Sequence, residues 1–451
     1  MNTPICDFVR AYRDSAPARL HMPGHKGVPA LGPEPLDLTE IPGADVLYHA
    51  DGVIRESEAN AARLFGSART VYSAEGSSLC IRAMLYLGLQ YAARQGRPPV
   101  VLAARNAHST FLTAAGLLDL DVRWLYGGDG LLTCDLSPET LDAALSASGA
   151  CLVYITSPDY LGNCADVAAL SAVCHRHGAL LLADNAHGAY LRFLSESRHP
   201  LDLGADLCCD SAHKTLPVLT GGAYLHFGKT CPADLIESAH RAMRLFASTS
   251  PSYLIRQSLD LANIALSEDW PERLRQTAER LDALKQQLTA DGWTLSGDEP
   301  VKLTLCPKKR GYTGEELAAL LQAQNLWCEF ADPDYIVFMV SPDTPEGDIV
   351  RLREALNAIP ARTPIPDCPP PLPRPERVLS IREALLSPCE NLPLDACRGR
   401  ILAAPTVSCP PAVPILTCGE RISPEALNLL RYYGAETCDV VCQEKILDSA
   451  R

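Results

Sequence analysis

No Cys-x-x-Cys pair occurs in this sequence, although 18 cysteines are scattered over its 451 residues. Cys438 and Cys442 have a C-x-x-x-C spacing with no second pair nearby, so a zinc site of the finger or ribbon type is not expected. Small buried thiols in a reducing compartment remain as the reading, and the expected location is cytoplasmic. No run rich in Lys and Arg is present, and the formal net charge is −14. That argues against nucleic acid or an anionic membrane as the main partner. The acid excess suits solubility more than it identifies a cationic substrate. No apolar stretch approaches the roughly 18 residues of a membrane span. The opening stretch "MNTPICDFVRAYRDS" has no apolar core, so a signal peptide is not expected. No internal repeat is visible.

The chain is longer than one hydrophobic core normally serves, so two or three domains are expected. Hydrophobic residues make up 47% and charged residues 21%, as in an ordinary globular protein. Between residues 55 and 230 helical and strand-like patterns alternate. "SLCIRAMLYLGLQYAARQG" reads as helix, "PVVLAA" as strand and "STFLTAAGLLDL" as helix. In "SPETLDAALSAS", Ser137 is placed as an N-cap with Pro138 at the first helical position. "CLVYITS", "ALLLAD" and "ADLCCD" read as strands, and "DVAALSAVCHRHG" as a helix closed by Gly178. This alternation implies βαβ units and a mostly parallel sheet in an α/β fold.

From about residue 255 the texture changes. "LDLANIALSEDWPERLRQTAERLDALKQQLTADG" reads as one long helical stretch, followed by short mixed segments. Between Pro360 and Pro375, eight of sixteen residues are proline, which predicts an extended linker. The expected organisation is an N-terminal segment (1–50), a large domain (51–254), a smaller α+β domain (255–359), a Pro-rich linker (360–376) and a small C-terminal unit (377–451).

Four polar features fall where open α/β sheets bind ligands, at the carboxyl ends of strands or the helix starts that follow. "SAEGSS" puts Gly76, Ser77 and Ser78 at a helix N-terminus. "RNAHST" follows a strand and carries His108. "ADNAHGAY" carries Asp184 and His187, and "DSAHKT" carries Ser211, His213 and Lys214. A helix start with small hydroxylated residues suits a phosphate. A carboxylate can pair with a pyridinium nitrogen, a lysine can form a Schiff base with an aldehyde, and a flat imidazole can stack on a ring. Together these are the parts that hold pyridoxal phosphate (PLP). Taken singly, each has a plain structural reading: a helix cap, a turn aspartate, a satisfied loop histidine. The combination in this order is what carries the inference. A metal is not expected at "HMPGH", where Pro23-Gly24 breaks the helix that would place both histidines on one face. His175 and His177, near a helix end, read as solvated and favoured by the helix dipole.

At these residues the sequence resembles the bacterial ornithine/lysine/arginine decarboxylases of the aspartate-aminotransferase fold (fold type I), in a short form. The matching segments include "HMPGHKG" (21–27), "DLTEIPGADVLYH" (37–49), "GVIRESEANAARLFGS" (52–67), "RNAH" (105–108), "DNAHGAY" (184–190), "DSAHKT" (210–215), "STSPSY" (248–253) and "CPPAVPILTCGERI" near the C-terminus. The resemblance implies a three-layer large domain with a mostly parallel sheet, a smaller α+β domain and a small C-terminal unit. It implies PLP-dependent decarboxylation of a basic amino acid by a homodimer or higher homo-oligomer. Lys214 would carry the Schiff base, Asp184 would pair with the pyridine nitrogen and His108 would stack on the ring. Ala186 would pack on the other ring face and His187 would lie near the cofactor hydroxyl. Gly76, Ser77, Ser78, Ser211 and His213 would hold the phosphate. Ser248, Thr249 and Ser250 would reach the cofactor of the partner subunit. Lys214 or His213 would return the proton after carbon dioxide leaves, and Glu420 and Asp45 are the candidate carboxylates for the cationic end of the substrate.

The sequence departs from the family pattern at several places. Asn is usual where Glu75 stands, Lys or a similar residue where Ser109 stands, Glu where Asn185 stands, a second acid where Val46 stands and Gly where Ala412 stands. The alternatives are another enzyme of the same fold (aminotransferase, lyase or aldolase) or a PLP-binding or cofactor-free regulatory protein without turnover.

Overall fold

The computed structural model describes residues 1–128, 130–366, 368–404 and 412–442. Cys409, Pro410 and Pro411 of the C-terminal motif lie outside the described residues. In chain order the first elements are α1 (Pro4–Asp14), α2 (Val53–Phe65), β1 (Arg69–Ser73), α3 (Gly76–Arg94), β2 (Val100–Ala104), α4 (Ser109–Leu117), β3 (Asp121–Leu125) and α5 (Pro138–Ser148). Then follow β4 (Leu152–Thr156), α6 (Val167–Arg176), β5 (Leu180–Asp184), β6 (Leu207–Asp210), α7 (Ala212–Thr215) and β7 (Ala223–Phe227). Next come α8 (Ala233–Glu237), α9 (Ala239–Phe246), α10 (Tyr253–Ser267), α11 (Trp270–Ala290), β8 (Leu295–Ser296), β9 (Lys302–Leu305) and α12 (Gly314–Gln322). The last are β10 (Phe330–Ala331), β11 (Ile336–Met339), α13 (Glu346–Ala358), α14 (Ile381–Leu385), β12 (Cys389–Pro393), α15 (Pro424–Tyr432) and β13 (Thr437–Val441).

Local chemistry sets many of these limits. Ser137 caps α5 by accepting from the Thr140 amide, with Pro138 at the first position. Thr313 with Glu316, and Ser380 with Glu383, form reciprocal capping boxes that start α12 and α14. α6 ends next to Gly178, whose φ of +63° suits the residue that closes a helix.

The chain divides into two compact units. The first comprises residues 1–98, 151–157 and 166–275. Its strands lie in the order β1-β7-β6-β5-β4. β4, β5 and β6 are parallel neighbours, and β7 runs antiparallel to both β6 and β1. β5 and β6 are buried along their whole length and read as continuous apolar runs, as a parallel sheet covered on both faces requires. α3 packs against β7, β6, β1 and β5. Gly88 allows that approach, since a Cβ there would sit 3.1 Å from Leu152 Cδ2. α1, α2 and α10 pack together around the buried Asp260, which accepts from the Ile5 and Cys6 amides and the Ser57 hydroxyl.

The second unit comprises residues 99–150, 158–165 and 276–451. It holds the parallel pair β2–β3 and an antiparallel sheet in the order β10-β11-β9-β8. α11, α12 and α13 bury Leu288, Leu317 and Leu356 against Leu303, Leu305 and Ile336 of that sheet. The C-terminal segment pairs β12 with β13 and buries Leu394, Ile422, Leu427, Leu430 and Val440. Residues 360–366 and 368–376 form no helix or strand.

The structure corrects the sequence expectations at three places. The single long helical stretch is two helices, because the chain turns at Glu268 (φ −111°, ψ −115°) before Trp270 starts α11. α10, grouped above with the smaller domain, packs against α1, α2 and β1 of the first unit. His175 is not simply solvated: its Nε2 lies 3.1 Å from the buried carboxylate of Asp206. The mostly parallel sheet of an α/β fold is present as expected.

Candidate active site

In the first unit, the carboxyl ends of β5 and β6 and the start of α3 bring most of the expected residues together. β6 ends at Asp210, and the next four residues carry Ser211, His213 and Lys214 through the single turn of α7. A β-strand extending to Lys214 would turn alternate side chains into the core; α7 instead turns the chain where its polar residues are needed. Lys214 Nζ lies 3.0 Å from His187 Nε2, which follows β5 by three residues. Asp184 ends β5 and is only 2% exposed. Its carboxylate accepts from the Tyr154 hydroxyl at 2.9 Å, from the Ala186 amide at 3.2 Å and from the Cys209 thiol at 3.7 Å. Burial, and then the charge of Asp184, push the Tyr154 hydroxyl far above its ordinary pKa, so Tyr154 stays neutral and donates.

α3 begins at Gly76, whose φ of +71° is left-handed and whose built Cβ would meet nothing within 4 Å. A side chain at this position would meet open space, although the Gly76 amide itself donates to the Gly221 carbonyl at 2.7 Å. Ser211 Oγ donates to Ser77 Oγ at 2.7 Å, placing two hydroxyls side by side at the same helix start. Ser78 follows in the first turn of α3. The amides of a first turn have no partner within the helix, so an anion is favoured there. His213 Nδ1 lies 3.0 Å from the Gly222 carbonyl. A carbonyl only accepts, so Nδ1 carries the hydrogen, and Nε2 could donate to a phosphate only in the imidazolium form. The donor set (two serine hydroxyls, a helix start, a lysine and a buried carboxylate) fits PLP.

The segment 248–253 lies beside this helix start in its own chain. Glu75 accepts from the Ser248 amide at 2.9 Å, and Ser252 caps α10. Ser248, Thr249 and Ser250 are exposed. Asp45 holds its own loop: Oδ1 accepts from the Val46 and Asp51 amides and Oδ2 from those of Gly52 and Ile54.

His108 and Glu420 belong to the second unit. His108 caps α4, its Nδ1 accepting from the Thr110 amide at 3.0 Å. The Ser109 amide donates to the Ala412 carbonyl, and Arg105 donates to the carbonyls of Pro414 and Ile415, both at 2.8 Å. These bonds fasten the C-terminal loop to the end of β2. Glu420 is buried and accepts from the Thr417 amide at 2.6 Å. Burial pushes its pKa up, against the opposing pull of Arg105. In the sequence, Tyr154 reads only as a strand core residue; no local signal marks it as the donor to Asp184.

The profile described as Orn/Lys/Arg decarboxylase, major domain, matches residues 3–342, and that of the family's C-terminal domain matches residues 375–437. The chain is 27% identical to the arginine decarboxylase of Halalkalibacterium halodurans, over 95% of this chain and 93% of that one. It is 29% identical to the uncharacterized protein YaaO of Bacillus subtilis, over 95% and 94%. Among solved structures, the lysine decarboxylase of Francisella novicida shares its fold, with a TM-score of 0.76 at 16% identity over 98% of this chain and 81% of that one.

Proposed function

The chain belongs to the Orn/Lys/Arg decarboxylase family, and from that premise we propose that this PLP-dependent amino-acid decarboxylase acts on a basic amino acid (arginine, lysine or ornithine), as a homo-oligomer in the cytoplasm. The observation that carries the residue assignment is Lys214 Nζ, 3.0 Å from His187 Nε2, one strand end away from the buried Asp184. PLP, when bound, would supply an aldehyde for amine chemistry and an electron-accepting ring. Lys214 would be the residue that holds the cofactor aldehyde. Asp184, oriented by Tyr154, keeps the ring nitrogen protonated. Ser77, Ser78 and Ser211 hold the phosphate at the start of α3. Lys214 or His213 returns a proton to Cα. The family resemblance alone gives His108 its stacking role. Glu420 and Asp45 are the two candidate carboxylates for the cationic end of the substrate; Asp45 already accepts amides of its own loop on both oxygens, and Glu420 already accepts the Thr417 amide.

Arginine leads the substrates to try, since several full-length relatives are named arginine decarboxylases. The test is carbon dioxide release by PLP-loaded protein from a panel of arginine, lysine, ornithine and neutral or acidic amino acids. Release from a basic member alone is the expected result. Transamination without carbon dioxide release, or release only from an acidic amino acid, would reject the reading.

A further inference from the structure

Next to Asp184 in sequence, and four residues before Lys214, is a buried polar cluster that the proposed reaction does not use. Asp210, His199, His226 and Asn185 are all 0% exposed. Asp210 Oδ2 accepts from His199 Nε2 at 3.0 Å and from His226 Nε2 at 3.1 Å. Oδ1 accepts from Asn185 Nδ2 at 2.7 Å and from the Cys208 thiol at 3.6 Å. The network continues outward, with Thr70 Oγ1 2.8 Å from His226 Nδ1 and Ser67 Oγ 2.8 Å from Thr70 Oγ1. A buried carboxylate with so many donors is ionised. Burial alone would raise its pKa, but His199 and His226 hold it below the usual carboxylate range. Burial pushes His226 downward, so that ring is neutral and donates its one hydrogen to Asp210.

His199, Cys208 and Asp210 are also metal-ligand types with ligating atoms within 4.8 Å of one another. The hydrogen bonds favour a different assignment. His199 Nδ1 accepts from the Leu201 amide at 3.3 Å, so Nε2 carries the hydrogen and its lone pair is not available to an ion. Asp210 already has donors on both oxygens.

We propose that Asp210 is a positioning residue: its carboxylate fixes Asn185 and the end of β6, and thereby aims Asp184 and Lys214. Successive side chains of a strand point to opposite faces. Holding Asn185 toward Asp210 therefore turns Asp184 the other way, toward Tyr154. The Asn185 amide also donates to the Cys209 carbonyl at 2.9 Å, so the two strand ends are joined through backbone and side chain together. The inference rests on the roles given above to Lys214 and Asp184.

β6 supplies its own control. Asp206, just before β6 begins, is equally buried (1% exposed) and accepts from His175, the Leu181 amide and Thr230. A purely structural role predicts the same behaviour for both acids. The experiment compares Asp210→Asn, Asn185→Ala and Asp206→Asn with the parent, all loaded with PLP. It reads thermal stability, zinc content, the pH dependence of the bound cofactor's visible absorbance, and kcat and KM separately. All three variants should lower Tm. Only Asp210→Asn and Asn185→Ala should move the absorbance titration, by about half a pH unit or more. They should also lower kcat about tenfold or more with KM little changed, as small misplacements of reacting groups do. Asn185→Ala leaves the two Asp210–histidine bonds in place, so it stands in should Asp210→Asn fail to fold. The absorbance readout does not need turnover, so a failed substrate panel and a failed positioning role give different results. Equal titrations in the Asp206 and Asp210 variants, an unchanged titration in Asn185→Ala, or stoichiometric zinc in the parent would overturn the proposal.

Discussion

Lys214 lies half-buried in α7, just past the end of β6, with its Nζ 3.0 Å from His187 Nε2, an amine placed to form a Schiff base. Lys214→Ala is therefore expected to remove both turnover and the borohydride-reducible attachment of PLP, while weaker noncovalent binding persists. A reducible attachment surviving in that variant would move the role to another lysine. Asp184 gives a finer test. Asp184→Asn keeps the hydrogen bond to Tyr154 but cannot hold the ring nitrogen protonated, so kcat should fall by roughly a hundredfold with PLP still bound. Steady-state kinetics on the loaded variant would show this; activity within about threefold of the parent would reject the role. These two residues were legible in the sequence because polar groups break continuous apolar runs at strand ends. Their supports were not. Tyr154 is one more buried aromatic in "CLVYITS", and Asp210 reads as the polar stop of "ADLCCD". Only the sheet pairing of β4, β5 and β6 brings Tyr154 to Asp184 and Asp210 to its neighbour Asn185. Asp45 sits in a family segment, and the sequence did not reveal that its carboxylate accepts from four amides of its own loop.

The turn between β10 and β11 illustrates how one element depends on pH. Asp332 Oδ1 accepts from the Asp334 and Tyr335 amides and closes the turn. Burial pushes Asp332 up to about 7, and the neighbouring Asp334 adds to the rise, while the two amides oppose it. An unfolded aspartate titrates near 3.9. Between those two values the folded chain holds a proton that the unfolded chain has released. Ionising Asp332 thus costs stability progressively as pH rises through this window, with the full cost present above about 7. Asp332→Asn keeps the accepting oxygen and removes the ionisation. Its Tm relative to the parent should rise from pH 5 to pH 8, by about 1–2 °C for each kcal/mol recovered in a chain of this length. Scanning fluorimetry at the two pH values measures the difference, and an equal or smaller gain at pH 8 would contradict it. Nothing in "ADPDY" reveals this, because a turn aspartate looks the same whether covered or exposed. At the same scale, β4, β5 and β6 were readable from their apolar runs. β3 was not, because "DVRWL" places charges within a strand only partly buried. The break between α10 and α11 was also missed. Both halves of that stretch have helical periodicity, and only the backbone at Glu268 and the packing of Trp270 against Phe193 show that the chain changes direction.

For the whole molecule, the proposed assembly turns on the loop of residues 248–252. Three short hydroxyl side chains, Ser248, Thr249 and Ser250, are exposed in a row, while the loop is held at both ends: Glu75 takes the Ser248 amide, and Arg256 donates to the Pro251 carbonyl at 2.7 Å. A loop with fixed ends and solvent-facing donors suits an anion supplied from outside its own fold. The family resemblance gives that anion as the phosphate of the partner's cofactor. Cofactor retention should then depend on association, since a lone protomer holds an incomplete set of donors. By mass action, PLP should in turn stabilise the assembly, so the loaded protein should dissociate at a lower concentration than the cofactor-free protein. Sedimentation velocity with and without PLP, run over a dilution series with cofactor release followed by absorbance, tests both directions of this coupling. Thr249→Ala with Ser250→Ala should weaken cofactor retention in the oligomer without altering the fold, because neither side chain is buried. A monomer that holds PLP as tightly as the oligomer would separate the two properties and reject a shared site.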